Sequence, residues 1–159
     1  ISCVAEFIPL KQIDWVINAV KSYEGSVDLE LKIVGKGPLE EELYALRADD
    51  SRIHFIGHVS HDEVMKILTE SNIFVMPSTK ETFGLVYLEA AATHNAIIAY
   101  HKYSINGVFE SEKEALFCKG YIDFKNKGNY KKRTPFTLGE PNNAVMSIVT
   151  VNIIFFLFY

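Results

Sequence analysis

Ile73-Phe74-Val75-Met76-Pro77-Ser78-Thr79-Lys80-Glu81-Thr82-Phe83-Gly84-Leu85-Val86-Tyr87-Leu88-Glu89 is the stretch whose reading decides the fold. Ile73 to Met76 is a short apolar run, as expected of a strand buried on both faces. Pro77 and Ser78 stop it. A helix then reads over residues 83–93, with Leu85, Leu88, Glu89 and Ala92 along it. Strand, turn and helix follow one another with no room for a hairpin, so the next strand is expected to run parallel to the first.

The same beat runs outward from this stretch. Towards the amino end, residues 1–7 read as a strand, and Trp15, Val16, Ala19, Val20 and Tyr23 recur at helical spacing. Trp15 is expected in the core. Residues 29–34 form a second strand, ended by Gly35-Lys36-Gly37-Pro38. Residues 39–46 follow as a helix with Glu40, Glu41 and Glu42 in its first turn, where the dipole favours acids. Residues 53–56 are a third strand. Ser60 with Glu63 forms a capping box, so a helix starts at His61 and continues through Val64, Ile67 and Leu68. Towards the carboxyl end, residues 96–100 and then 115–118 read as strands. Strands alternating with helices predict an α/β domain: a Rossmann-like, three-layer parallel sheet with helices on both faces. Ligands of such sheets sit at the carboxyl ends of the strands. The informative residues should therefore follow strands, as do Gly35 to Pro38, Gly57-His58 and Ser78 to Gly84.

The bulk composition agrees with one folded unit. The chain has 159 residues, 48% of them hydrophobic and 23% charged, with a formal net charge of −4. Such a balance gives no footprint for nucleic acid. Cys3 and Cys118 are too far apart for a C-x-x-C pair and read as free thiols in a reducing compartment. Ile1 opens directly into a strand-like run without a basic leader, so a cytoplasmic setting is the expectation. His58 and His61 lack the company of a metal site, Asp49-Asp50 reads as a surface turn, and His94 and His101 read as surface residues. No metal site and no cofactor is expected.

The residues around the helix start carry the chemistry. The free N–H groups from Phe83 through Gly84 and Leu85 to Val86 form an anion site at the positive end of the helix dipole. Gly84 removes a side chain that would keep a phosphate away. Glu81 and Glu89 lie two helical turns apart, roughly 12 Å by helix rise. That spacing suits one carboxylate beside a sugar and the other beside a ribose, on either side of a diphosphate. A carboxylate can accept from both hydroxyls of a diol. The plainer reading of both acids is surface helix charge. Gly35 and Gly37 read first as a strand–helix turn and second as a donor contact.

With these residues in register, the stretch resembles the signature of the retaining glycosyltransferases of the group 1 (family four) class, which have the GT-B fold. Glu81, Phe83, Gly84, Glu89, Ala90 and Ala92 match its E-x-F-G-x-x-x-x-E-A-x-A setting. Ile33 to Pro38 is similar to its I-V-G-x-G-P strand end, Phe55 to Val59 to its F-x-G-x-V, and Ile8 to Asp14 to the segment where a Lys meets the donor diphosphate. The matches cover residues 1–118, which the resemblance makes the nucleotide-sugar donor-binding domain. It implies that Glu81 takes the donor sugar's hydroxyls and that Phe83, Gly84, Leu85 and Val86 offer backbone N–H groups to sugar and diphosphate. Glu89 would take the ribose diol, Lys11 the diphosphate, and the backbone at His58 the base, with no metal needed. The partners it implies are a nucleotide-sugar donor and an amino-terminal GT-B domain, without which the chain is expected to be inactive.

Three features depart from the pattern. Ala5 and Glu6 stand where the family carries Gly and Arg. Tyr103 to Gly107 replaces its G-G-x-x-E. Residues 119–159 match nothing: a basic stretch, 125–133, precedes an apolar one, 144–159. Sixteen residues span roughly 24 Å against a hydrocarbon core of about 30 Å, short for a membrane helix. A buried strand or helix and an aberrant terminus are the other readings, and the basic stretch is either a solvated loop or a peripheral membrane contact. Two further functions fit the same residues: a non-catalytic remnant or interaction module, and a sugar-nucleotide epimerase.

Overall fold

The computed structural model describes residues 1–81 and 84–100 in full and the backbone of 115–118. Six parallel strands form one sheet: β1 (Ser2–Val4), β2 (Leu31–Val34), β3 (Ile53–Gly57), β4 (Ile73–Met76), β5 (Ala96–Tyr100) and β6 (Ala115–Cys118). Their order across the sheet is β3-β2-β1-β4-β5-β6. Among the described residues, four α-helices lie between them: α1 (Ile13–Lys21), α2 (Glu40–Arg47), α3 (His61–Thr69) and α4 (Leu85–Ala92). The expected α/β fold is therefore present, and the strands at 73–76, 96–100 and 115–118 fall where the sequence places them.

Two-residue periodicity divides the core between the two faces of the sheet. Ile73 and Val75 of β4, with Ala96 and Ile98 of β5, pack with Ile13, Val16, Ile17 and Val20 of α1 and Leu43 of α2. Phe74 and Met76, with Ile97 and Ala99, pack on the opposite face with Leu68 of α3 and with Tyr87 and Ala90 of α4. All four residues of β4 are buried, as a central parallel strand requires. Each fully buried aliphatic side chain contributes about 1.5–3 kcal/mol. Trp15 corrects an expectation. It lies beside the buried stripe of α1 and is only half-buried, its ring 6.4 Å from that of Tyr100. The Cys3 thiol is buried in the core, and burial pushes its pKa up to about 12, which leaves it inert.

The element ends show where local backbone chemistry overrides periodicity. β1 stops at Val4 rather than continuing to residue 7, because the chain swings over to β2 and the loop after it. Ala5 N donates to Val34 O at 3.0 Å and Phe7 N to Lys36 O at 2.9 Å. The approach is so close that a Cβ at Gly35 would meet the Ala5 carbonyl at 1.8 Å, and one at Gly37 the Phe7 backbone at 2.7 Å. α3 starts at His61 as expected, where Ser60 Oγ accepts from Glu63 N at 3.3 Å. α4 ends in a Schellman motif: His94 N donates to Ala91 O and Asn95 N to Ala90 O, both at 3.0 Å, with His94 at φ 64°.

Asp50 is more than a surface turn. Arg52 Nε donates to its Oδ1 at 2.9 Å and Nη2 to its Oδ2 at 2.7 Å, while Nη1 reaches Tyr23 O at 3.1 Å. The fork clamps the loop before β3 to the chain just after α1. The guanidinium holds the Asp50 pKa down to about 2 from 3.8.

Gly35→Ala should destabilise the domain by about 3 kcal/mol in urea unfolding, because it adds a backbone overlap to a strained φ. Gly57→Ala should cost only about 1 kcal/mol, since its positive φ faces open space. The Asp50–Arg52 clamp should contribute about 1 kcal/mol after solvent screening. A depressed carboxylate pKa stabilises above its unfolded value, so this contribution should be complete above pH 3.8 and lost as pH falls through about 2. Unfolding midpoints of wild type and Asp50→Asn should therefore differ at pH 6 and converge towards pH 2.

Candidate functional site

The strand order turns around between β1 and β4. α1, which follows β1, covers one face, and α4, which follows β4, covers the other. The loops leaving those two strands therefore part from each other and open a crevice at the carboxyl edge of the sheet. Two hydrogen bonds keep the loops adjacent at its floor. Thr79 N donates to Leu10 O at 2.8 Å, and Thr79 Oγ1 donates to the same carbonyl at 3.2 Å.

Lys11 and Glu81 meet in this crevice. Lys11 Nζ donates to Glu81 Oε1 in an ion pair that joins residues 70 apart in sequence. Their side chains are 15% and 12% exposed, so both are largely shielded from water. The pair leaves further ammonium N–H groups and the second carboxylate oxygen for other partners. One cation and one acceptor thus sit side by side at the switch point.

Next to them is the start of α4. Gly84 is buried and takes a left-handed conformation, φ 60°, as the N-cap. This moves the helix start from Phe83 to Leu85. α4 begins at Leu85, so helix rise does not measure the distance from Glu81 to Glu89. No side chain caps this end and no acid lies in its first turn. Tyr87 N donates to Gly84 O at 2.9 Å, whereas the N–H groups of Leu85 and Val86 have no acceptor among the described residues. Bare amides at the positive end of a helix dipole attract an anion.

Tyr87 fixes the height of that helix start, and the sequence reading gave it no role. Its hydroxyl donates to Met76 O at 2.5 Å, and its ring meets Phe74 edge-on at 5.5 Å. The first turn of α4 is thereby tied to the end of β4. A fully buried Tyr within an apolar helix is the signal that could have found it, since a buried phenol needs an acceptor.

The remaining expected residues are spread around this centre. Glu89 is on α4, where Oε1 lies 3.0 Å from His61 Nε2. His58 is exposed just past β3, and Gly57 O accepts from Gly35 N at 2.9 Å. Gly35 and Gly37 serve the close backbone approach to residues 5–7. A cleft of about 700 Å³ opens beside Gly37, lined also by Pro38, Glu40, Glu41 and Tyr44. Lys11, Glu81, Gly84 and Glu89 do not line it. Glu6, where the resembled family has Arg, is exposed and makes no side-chain ion pair among the described residues. Phe83, His101, residues 103–107, and the stretches at 125–133 and 144–159 lie outside the described residues. Among the described residues, no helix is long and apolar enough to cross a membrane.

Comparison with known proteins adds to this geometry. Residues 1–123 match the family described as glycosyl transferases group 1. An uncharacterized glycosyltransferase of Methanocaldococcus jannaschii is 32% identical over 98 residues, 60% of this chain and 27% of that protein. The N-acetyl-alpha-D-glucosaminyl L-malate synthase of Bacillus anthracis is 33% identical over 93 residues, 56% of this chain and 24% of the enzyme. The chain thus spans about a quarter of the length of these relatives. TarM of S. aureus, solved in complex with fondaparinux, alpha-GlcNAc-glycerol and UDP, shares the fold with a TM-score of 0.66 at 18% identity, over 96% of this chain and 28% of its own.

Tyr87→Phe should lower stability by about 1 kcal/mol, because it removes the hydrogen bond from the buried hydroxyl to Met76 O without changing the packing. Differential scanning calorimetry would measure this. An unchanged Tm would mean that the hydroxyl does not tie α4 to β4.

Proposed function

Because the chain belongs to the glycosyl transferases of group 1, we propose that it forms the donor-binding part of an enzyme that moves a sugar, with retention and without a metal, from a nucleoside diphosphate to an acceptor. The observation that carries this reading is the Lys11–Glu81 pair beside the uncapped start of α4, at the one reversal of strand order. A diphosphate needs positive charge and N–H donors, and a sugar needs acceptors for its hydroxyls. Both kinds of group converge there.

The roles follow from the chemistry of each group. The diphosphate rests on the amides of Leu85 and Val86, with Lys11 as its counter-charge. As the bond between sugar and phosphate breaks, negative charge grows on the departing oxygen. Donors already in place stabilise that charge without reorganising. Glu81 accepts from the sugar's hydroxyls and exchanges part of its contact with Lys11 for them. Glu89 accepts from the ribose diol, and the backbone near His58 lies against the base. The acceptor site belongs to an amino-terminal domain, so this chain binds donor but does not turn it over alone.

Calorimetric titration with UDP, ADP and GDP, and with the glucose conjugate of each, tests the reading. One nucleotide series should bind. Lys11→Met should weaken both members of that series about tenfold or more, because a charge-assisted contact is lost. Glu81→Gln should leave the free diphosphate within about threefold and remove the added affinity given by the sugar. If none of the six compounds binds, the donor reading fails, and a non-catalytic interaction module remains. Sustained glucosyl transfer by this chain alone would refute the shared active site.

A further inference from the structure

His61 is the first residue of α3, and Ser60 fixes that helix start by accepting from Glu63 N at 3.3 Å. From there, its Nε2 reaches Oε1 of Glu89 on α4 at 3.0 Å, across 28 residues of sequence. A carboxylate can only accept, so the contact assigns the ring proton to Nε2. His61 is 68% exposed and Glu89 29%. An exposed contact of this kind adds little to folding. What it restricts is the freedom of Glu89. A Glu side chain has many rotamers, and a ligand that needs one of them must order it on binding. His61 occupies one side of Oε1 and leaves Oε2, with the second lone pair of Oε1, to accept from elsewhere.

We infer that His61 is a positioning residue of the donor site: it orients Glu89 towards the ribose diol and thereby sets the preference for ribonucleotides over 2′-deoxyribonucleotides. The inference rests on the reading of Glu89 as the acceptor for the ribose hydroxyls. A carboxylate held in place meets both hydroxyls at once. A free one loses that advantage, and a deoxyribose, offering a single hydroxyl, gains little from the ordering in either case.

The test is calorimetric titration of the 159-residue chain with UDP, ADP and GDP and with the 2′-deoxy form of each. Wild type should prefer the ribose form of its nucleotide about tenfold, the size of one well-made hydrogen bond. His61→Ala should weaken the ribose form about three- to tenfold and the deoxy form by less than about twofold, so that the ratio collapses. His61→Gln should restore most of the preference, because its amide N–H can reach the same oxygen. His61→Ala added to Glu89→Gln should change nothing beyond Glu89→Gln alone. A purely structural role for His61 would weaken both sugars equally and leave the ratio intact, which would overturn the inference. So would tighter ribonucleotide binding in His61→Ala, since His61 would then compete with the ribose. If Glu89→Ala abolishes the preference while His61→Ala preserves it, only the positioning role falls. If Glu89→Ala leaves the preference intact, or no nucleotide binds, the donor reading falls as well.

Discussion

The reversal of strand order between β1 and β4 is the constraint on which the site depends. A right-handed crossover from β1 sends its helix to one face of a parallel sheet. When the next strand is laid on the other side of β1, the same handedness sends the following helix to the opposite face. The two connections must then diverge at the carboxyl edge, and the space between them cannot be filled by either helix. Here the gap is bordered by the turn at Pro9–Lys11 and by the segment from Pro77 to Glu81. The Thr79–Leu10 hydrogen bonds keep it narrow. Lys11 and Glu81 meet because each is a few residues past one of the two central strands.

Packing converts that topology into a defined mouth. Tyr87 ties α4 to the last carbonyl of β4, and the bulk of the helix is sealed by Ala90 against Phe74, Met76 and Ile97. On the far side, the loop after β1 is pressed against Gly35 and Gly37 with no space for a side chain. Both walls are thus held by close contacts beside the crevice. Preorganised donors are worth more than mobile ones, because a bound anion need not order them.

Much of this was legible in the sequence, and what was not has a common cause. Among the described residues, the sequence pattern found each strand and each α-helix, since Ile73 to Met76 and the stripe of α1 owe their form to burial. It misjudged the ends of β1 and α4, where Gly35 and Gly84 act through backbone conformation rather than hydrophobicity. Trp15 fell on the flank of its helix because spacing identifies a stripe without its width. Lys11, Glu81 and Glu89, the residues of the proposed site, could be singled out one at a time. Their partners could not: Lys11–Glu81 and His61–Glu89 are contacts between elements, and no local pattern links positions 70 or 28 residues apart.

Those two pairings also resolve an electrostatic difficulty. Two carboxylates beside a diphosphate would repel it if left bare, and Glu6 would add a third charge where Arg is the family's usual residue. In the folded chain, Glu81 is neutralised by Lys11 and Glu89 lies against a His61 N–H, so neither presents its full charge to the crevice. Glu6 is exposed and hydrated. At 4 Å in water, a unit charge pair interacts by only about 1 kcal/mol, against about 4 kcal/mol at a protein-like effective dielectric. Lys11 and Glu81 cancel as a pair, so the attraction of this corner for an anion comes from the amides of Leu85 and Val86 and the helix dipole behind them, with the Lys11 ammonium oriented by its partner. On the proposed reading, the Glu6 carboxylate opposes a diphosphate there, and its exposure keeps that opposition weak.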